Sequence, residues 1–119
     1  MKTTYPAEQS VSIWVGTFPT EDAFDHATDC EVEARLKLPT SLAAIAEVAF
    51  EEKAVATAKL LEGFSGWESF IEEASAASEK KKAASANSAL VCYHLSCSDA
   101  PDVWGSLIFL GTFGGSDIT

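Results

Sequence analysis

The sequence predicts an α+β fold: one domain in which an antiparallel sheet of four to five strands is covered on one face by helices. Short runs of alternating apolar and polar residues are typical of strands, and a longer run at 66–81 has helical spacing. A chain of 119 residues, 47% of them hydrophobic, is one domain with enough core to fold without disulfides or metal. We expect the domain to span 1–119, with loose termini at 1–9 and 114–119.

The first predicted strand runs from Ser10 to Phe18. Val11, Ile13 and Val15 alternate with the large side chains of the other face, so both faces need cover and the strand is central. Pro19-Thr20 then opens a short helix, in which Thr20 is the N-cap.

The middle of the chain alternates between strand and helix signals. Residues 29–38 alternate apolar and charged positions, which predicts a half-exposed antiparallel strand that Pro39 stops. Thr40 or Ser41 then caps a helix through about Glu47. Residues 48–62 suit a strand or a continued helix, and we favour a strand at about 53–58.

Ser65-Gly66-Trp67-Glu68 matches a capping box, with Ser65 at the N-cap and Glu68 three residues later. The helix that follows is predicted to end near Lys81 and to pack on the sheet through Trp67, Phe70 and Ile71. The lysine run at 80–82 is interpreted as a solvated helix end that complements the helix dipole.

Two more strands are predicted near the C-terminus, at 88–97 and 104–113. The short polar stretch 98–102 between them reads as a turn, which predicts an antiparallel hairpin.

A five-residue segment occurs twice in the sequence with small differences. Trp14-Val15-Gly16-Thr17-Phe18 and Phe109-Leu110-Gly111-Thr112-Phe113 each place Gly-Thr-Phe after an aromatic and an aliphatic residue. Glycine is unusual inside a strand, so its repetition suggests one device used twice, a bulge or a close backbone approach. We therefore predict that the two strands lie in one sheet; a chance match is the alternative.

Charge and cysteine content limit the class of protein. Eighteen acidic residues face eight basic ones, giving a net charge of -10. Such a chain is repelled by nucleic acid and by anionic membranes, and attracts basic proteins. The N-terminus lacks the apolar core of a secretory signal, and three unclustered cysteines fit a reducing compartment, so we expect a cytoplasmic protein.

Catalytic motifs are not found in the sequence, which contains no glycine-rich phosphate loop and neither HExxH nor GxSxG. Cys92, His94 and Cys97 are three potential zinc ligands, but alternation places Cys97 on the other face and a fourth ligand is missing. Cys30 with His26 or His94 is the one potential nucleophilic pair. We therefore expect that the protein is not an enzyme, has no catalytic residue, and binds neither a cofactor nor a metal ion.

The strand Val11–Phe18 resembles the opening strand of immunity protein family 22 of bacterial polymorphic toxin systems. Residues 60–65 and 68–71 are similar to that family's central segment. Phe109–Phe113 is similar to its closing strand, where Ser more often stands in place of Thr112. The stretch 29–59 departs, because alanine-rich sequence replaces an acidic, aromatic segment.

This resemblance implies a non-enzymatic inhibitor that binds a cognate toxin, often a nuclease. The charge independently favours a basic partner. A small acidic adaptor or structural subunit is the alternative, and a small enzyme using Cys30 or Cys92 is a third class. The predicted inhibitory surface is an acidic segment of six residues, and the equal alternative is that they are only the solvated faces of a helix and a strand: Glu21, Asp22, Asp25, Asp29, Glu31 and Glu33.

Overall fold

The computed structural model describes residues 1–114 and confirms the α+β class with a five-stranded antiparallel sheet. The strands are β1 (Lys2–Thr4), β2 (Ser10–Gly16), β3 (Ala46–Ala56), β4 (Ser85–Tyr93), β5 (Ser96–Ser98), β6 (Val103–Trp104) and β7 (Leu107–Gly114). The helices are α1 (Glu21–Ala27), a π-helical segment (Thr28–Glu33), α2 (Ala34–Leu36), α3 (Thr57–Leu61) and α4 (Ile71–Lys80), with 3₁₀ turns at Leu42–Ala44 and Trp67–Ser69.

The main sheet has the order β3-β4-β2-β7-β6, so β2 is its central strand, as predicted. Val11, Ile13 and Val15 are buried in one core on one face, and Trp14 is buried in a second core on the other. Alternation along one strand therefore supplies side chains to two cores, which is why β2 is buried from Val11 to Gly16.

Helical segments cover both faces of the sheet, whereas cover on one face was expected. Leu61 of α3 and Ala74 of α4 pack into the first core together with Phe70, which is 1% exposed as the predicted helix packing requires. Phe24 of α1 and Val32 of the π-helical segment pack into the second core.

The predicted strand at 29–38 is wrong, because this stretch continues α1 as the π-helical segment and α2. Phe24, Thr28, Val32 and Leu36 are all buried and lie four residues apart. This spacing is longer than one α-helical turn, and wider π-helical turns keep the row facing the core. The alternation in sequence arose because Val32 and Leu36 also fit a period of two.

The next two predictions are corrected in part. The helix expected at 41–47 is only the 3₁₀ turn Leu42–Ala44, because the chain enters β3 at Ala46. The strand favoured at 53–58 exists but begins earlier and ends at Ala56, after which Thr57–Leu61 forms α3.

The predicted capping box is wrong. Gly66, at φ +68°, precedes a 3₁₀ turn, and α4 begins only at Ile71. Ser65 instead donates its hydroxyl to the Glu47 carboxylate of β3. Ser65 therefore makes a long-range hydrogen bond to Glu47 in place of the local capping hydrogen bond that the sequence predicted.

The predicted C-terminal hairpin is also wrong. β4 pairs with β2 and β3, and β7 pairs with β2 and β6, so β2 lies between β4 and β7. The predicted strand 88–97 breaks at His94, at φ +60°, before β5. The predicted strand 104–113 turns at Gly105, at φ +65°, and its start becomes β6.

The termini differ from expectation where they are described. The leader 1–9 is not loose throughout, because β1 pairs with β5 from Lys2↔Ser98 to Thr4↔Ser96. Gly114 ends β7, and the rest of the tail predicted to be loose, 115–119, lies outside the described residues.

The two Gly-Thr-Phe strands lie in one sheet, as predicted, and are paired with each other. Their glycines have different structural roles. Gly111 has φ +138° at a bulge, where the register jumps from Ile13↔Gly111 to Trp14↔Phe109. A Cβ on Gly16 would lie 2.9 Å from the carbonyl oxygen of Ser106, so this glycine permits a close backbone approach.

The lysine run is only partly a solvated helix end. Lys80 and Lys82 are exposed, but Lys81 donates to the Phe109 carbonyl at 2.8 Å and to the Asp102 carboxylate at 2.9 Å. Lys81 thereby ties the end of α4 to the β6–β7 edge of the sheet.

Candidate functional site

The predicted acidic segment lies on one helical run from α1 through α2, and not on a helix followed by a strand. Thr20 caps its start, as predicted, by accepting the Ala23 N–H at 3.1 Å. Lys37 ends it in the left-handed region at φ +50°. Because the run is continuous and its inner row is buried, it holds its outer carboxylates on a fixed frame.

The structure brings four of the six predicted residues into one row. These four residues lie four positions apart, as the residues of the buried row do, so they form a single stripe along the helical run. Asp22 lies in the neighbouring stripe. Asp22, Asp25 and Asp29 are exposed. The four in the row are Glu21, Asp25, Asp29 and Glu33.

Glu31 lies on the other flank of the run. Its Oε2 pairs with the Arg35 guanidinium at 3.0 Å, and that guanidinium lies 5.2 Å from the centre of the Trp104 ring. A Cβ on Gly105 would lie 2.7 Å from the Glu31 carboxyl carbon, so Glu31 packs against the β6–β7 turn. Glu31 therefore joins elements of this fold rather than the exposed row.

Glu33 has a structural contact as well. Its Oε2 accepts the Leu42 N–H at 2.7 Å and so satisfies the start of the 3₁₀ turn that the sequence assigned to a serine or threonine cap. Reversing its charge would disturb this turn, whereas Asp22, Asp25 and Asp29 have no ion pair within residues 1–114. These three aspartates, together with the exposed Glu21, are the free part of the surface within residues 1–114.

Cys30 and His26 are in contact on the same helical run. The Cys30 Sγ lies 3.5 Å from His26 Nε2, and both residues are exposed beside a shallow groove of about 420 Å³ that also contacts Gly105 and Ser106. Within the described residues no other side chain hydrogen-bonds to His26, so no third group orients the imidazole as in a nucleophilic triad.

Alternation predicted that the side chains of Cys92 and Cys97 lie on opposite faces of one strand, and this prediction is wrong. Cys92 and Cys97 are both buried in the second core, because the backbone turns at His94 between them. Burial raises the pKa of each thiol, which keeps both thiols protonated and unreactive. Among residues 1–114 no three His, Cys, Asp or Glu side chains form a group able to hold a metal ion.

A polar cluster that the sequence did not indicate joins β3, β4 and the loop after α3. The Glu47 carboxylate accepts from the Ser65 N–H at 2.9 Å, the Ser65 hydroxyl at 2.7 Å and the Tyr93 hydroxyl at 2.9 Å. Partial burial alone would raise the pKa of Glu47, but these hydrogen bonds outweigh it and hold that pKa below 4.5. Burial, together with the Glu47 carboxylate, raises the pKa of Tyr93.

We expect Glu47→Gln to lower the free energy of unfolding by about 1–2 kcal/mol at neutral pH, since three hydrogen bonds lose a charged acceptor. A lowered folded-state pKa stabilises the protein fully above pH 4.5, and this contribution is lost as the pH falls through the folded-state pKa. Urea unfolding at a series of pH values should therefore show the two proteins converging in acid.

Glu51→Gln is the matched control, because Glu51 is exposed on the same strand. It should change stability by less than about 0.5 kcal/mol. A Glu47→Gln protein as stable as the wild type at neutral pH would show that the cluster contributes nothing.

No protein-family model matches this chain, and neither does any curated protein or solved structure. The resemblance to an immunity protein family stays a prediction. Within residues 1–114, no helix has both the length and the apolar character that crossing a membrane requires.

Proposed function

We propose that this chain is a non-enzymatic immunity protein, which binds a bacterial toxin with a basic active cleft, such as a nuclease, and neutralises it in the cytoplasm. One observation carries the proposal: Asp22, Asp25 and Asp29 are exposed on a rigid helical run and lack a cationic partner within residues 1–114. The net charge of -10 favours the same class of partner.

The physical basis is the charge of the partner's substrate. A nuclease binds a polyanion, so its cleft concentrates lysine and arginine side chains. A row of carboxylates at regular spacing on a helix offers that cleft a substitute for phosphates. The charge complementarity also speeds encounter, which suits an inhibitor that must act before the toxin cuts.

The backbone of this surface supports an interaction role. The π-helical segment carries Asp29, and such segments are rare and occur frequently at functional sites. The inner row, which includes Phe24 and Val32, is buried in the second core, so binding needs no rearrangement of the run.

Co-expression with the product of the adjacent gene tests the proposal. We expect the two proteins to co-purify, the partner's toxicity to disappear in the complex, and Cys30→Ser to protect as well as the wild type. Protection that depends on Cys30 would support the enzyme class instead.

A small acidic adaptor remains the second candidate function, because the same exposed aspartates would bind any basic protein. It predicts a complex with the neighbouring product but no toxicity to suppress. Expressing that product alone in growing cells separates the two, since only a toxin stops growth.

A further inference from the structure

β3 is a long edge strand whose outer side is open. The Tyr93 N–H donates to the Ile45 carbonyl at 2.9 Å, which makes this opposed pair a hydrogen-bonded one. Alternation along the antiparallel ladder then directs the backbone N–H and C=O groups of Ala46, Val48 and Phe50 away from β4. These groups are free to pair with another strand.

Two of the devices that normally protect an edge, proline and lysine, are missing from this half of β3. Residues 46–50 contain no proline and no lysine. A bulge appears only afterwards, where the register passes from Phe50↔Ser88 to Val55↔Ala86. Val48 is 55% exposed, whereas the opposite edge strand, β6, is only two residues long.

A groove of about 330 Å³ runs beside this edge, between β3 and the loop after α3. Val48 and Ala49 line its strand side, and Gly63 and Phe64 line the loop side. The fifth lining residue, Glu47, has its carboxylate drawn back to Ser65 and Tyr93, so it leaves the pairing groups of the strand accessible.

The charge around the groove is negative. Glu62 precedes Gly63 in the loop wall, and Glu51 and Glu52 follow Phe50 on the strand; all three are exposed. The nearest basic residues in sequence are Lys53 on the strand side and Lys59 before the loop wall, and the three carboxylates outnumber them. An extended segment that carries lysine or arginine complements these carboxylates, whereas an acidic one is repelled.

We propose that the open edge of β3 binds an extended, lysine- or arginine-bearing segment of the partner, which adds a sixth strand to the sheet. The identity of the partner rests on the proposed function, but strand addition itself does not. Main-chain hydrogen bonds supply the attraction, the groove accepts alternate side chains, and the acidic rim selects for charge.

Val48→Pro is the informative variant. The lost N–H points outward, so the ladder to β4 keeps its hydrogen bonds, and an edge position tolerates proline. Val48→Thr is the matched control, because threonine keeps the N–H and the branched shape. Urea unfolding identifies any general loss of stability in either protein.

The probe is a short, end-capped peptide of alternating valine and lysine with a fluorophore, and binding is measured by anisotropy. We expect the wild type and Val48→Thr to bind it alike, and Val48→Pro to bind at least about tenfold more weakly. An otherwise identical valine–glutamate peptide should not bind. Equal binding of the lysine peptide to Val48→Pro would overturn the proposal, because charge alone would then explain it.

Two further results would contradict it. If sedimentation shows wild-type dimers that Val48→Pro abolishes, the edge pairs with a second copy of this chain rather than a basic segment. If Val48→Pro still neutralises the toxin with wild-type affinity, the edge is not the interface although the proposed function stands. Peptide binding without any toxin complex would refute the function and leave strand addition intact.

Discussion

Replacing Trp14 by alanine should lower the free energy of unfolding by about 3–5 kcal/mol, a large part of the stability of a domain of this size. Trp14 is fully buried on the central strand. Its ring packs edge-on against Trp104 at 5.2 Å and at a tilt against Phe109 at 4.8 Å. Truncation would leave a cavity between β2, β6 and β7, where the ring now contacts Trp104 and Phe109.

Trp67→Ala is the matched control, since the same change occurs at a half-buried position packed against the first core. We expect a cost of about 1–2 kcal/mol there. Urea unfolding with tryptophan fluorescence and circular dichroism measures both. Equal costs for the two variants would contradict the deeper burial of Trp14.

Trp14→Phe should lower the free energy of unfolding much less than Trp14→Ala does, for two reasons. The Trp14 indole N–H is buried without a hydrogen-bond partner within residues 1–114. Phenylalanine keeps most of the aromatic contact and removes this unpaired donor, whose burial opposes folding by about 1–3 kcal/mol.

Reversing Asp22, Asp25 and Asp29 to lysine should slow association with the proposed toxin by about 10–1000-fold at low salt and flatten its salt dependence. The three side chains are exposed and unpaired within the described residues, so the fold should lose little stability beyond the helix-dipole effect at its first turns. Stopped-flow association at several salt concentrations gives the rates.

A second triple reversal on α4 is the control. Glu72, Glu73 and Glu79 are also exposed, and changing them to lysine alters the net charge by the same amount on a different surface. This variant should associate much faster than the first. If the α4 variant is the slower of the two, the toxin binds the α4 face and not the α1–α2 run.

The sequence predicted the centre of the fold better than its periphery. β2 and α4 were found because their patterns report burial directly: apolar residues on both faces in one case, and a helical stripe in the other. The stretch 29–38 failed because Val32 and Leu36 satisfy both a strand period and a four-residue helical period. The choice between strand and helix depends on tertiary packing, in which Val32 and Leu36 continue the buried row that begins at Phe24.

Contacts between distant residues were beyond local patterns. Ser65 matched a capping box, yet it binds Glu47, and no spacing rule relates these two positions. The C-terminal hairpin was predicted from a short loop, but β2 occupies the place between its strands. The acidic surface was predicted residue by residue, whereas its division into unpaired carboxylates and the two bonded ones, Glu31 and Glu33, depends on Arg35 and Leu42.

The central position of β2 governs how the chain can fold during synthesis. β2 leaves the ribosome well before both of its neighbours, because Val11 pairs with Tyr93 and Ser10 pairs with Gly114. Closing such long loops is slow, and non-local strand pairing delays folding to milliseconds or longer. The nascent chain therefore carries an apolar strand with at least one unpaired edge until β7 is made, and the sheet is completed only after translation has passed that strand.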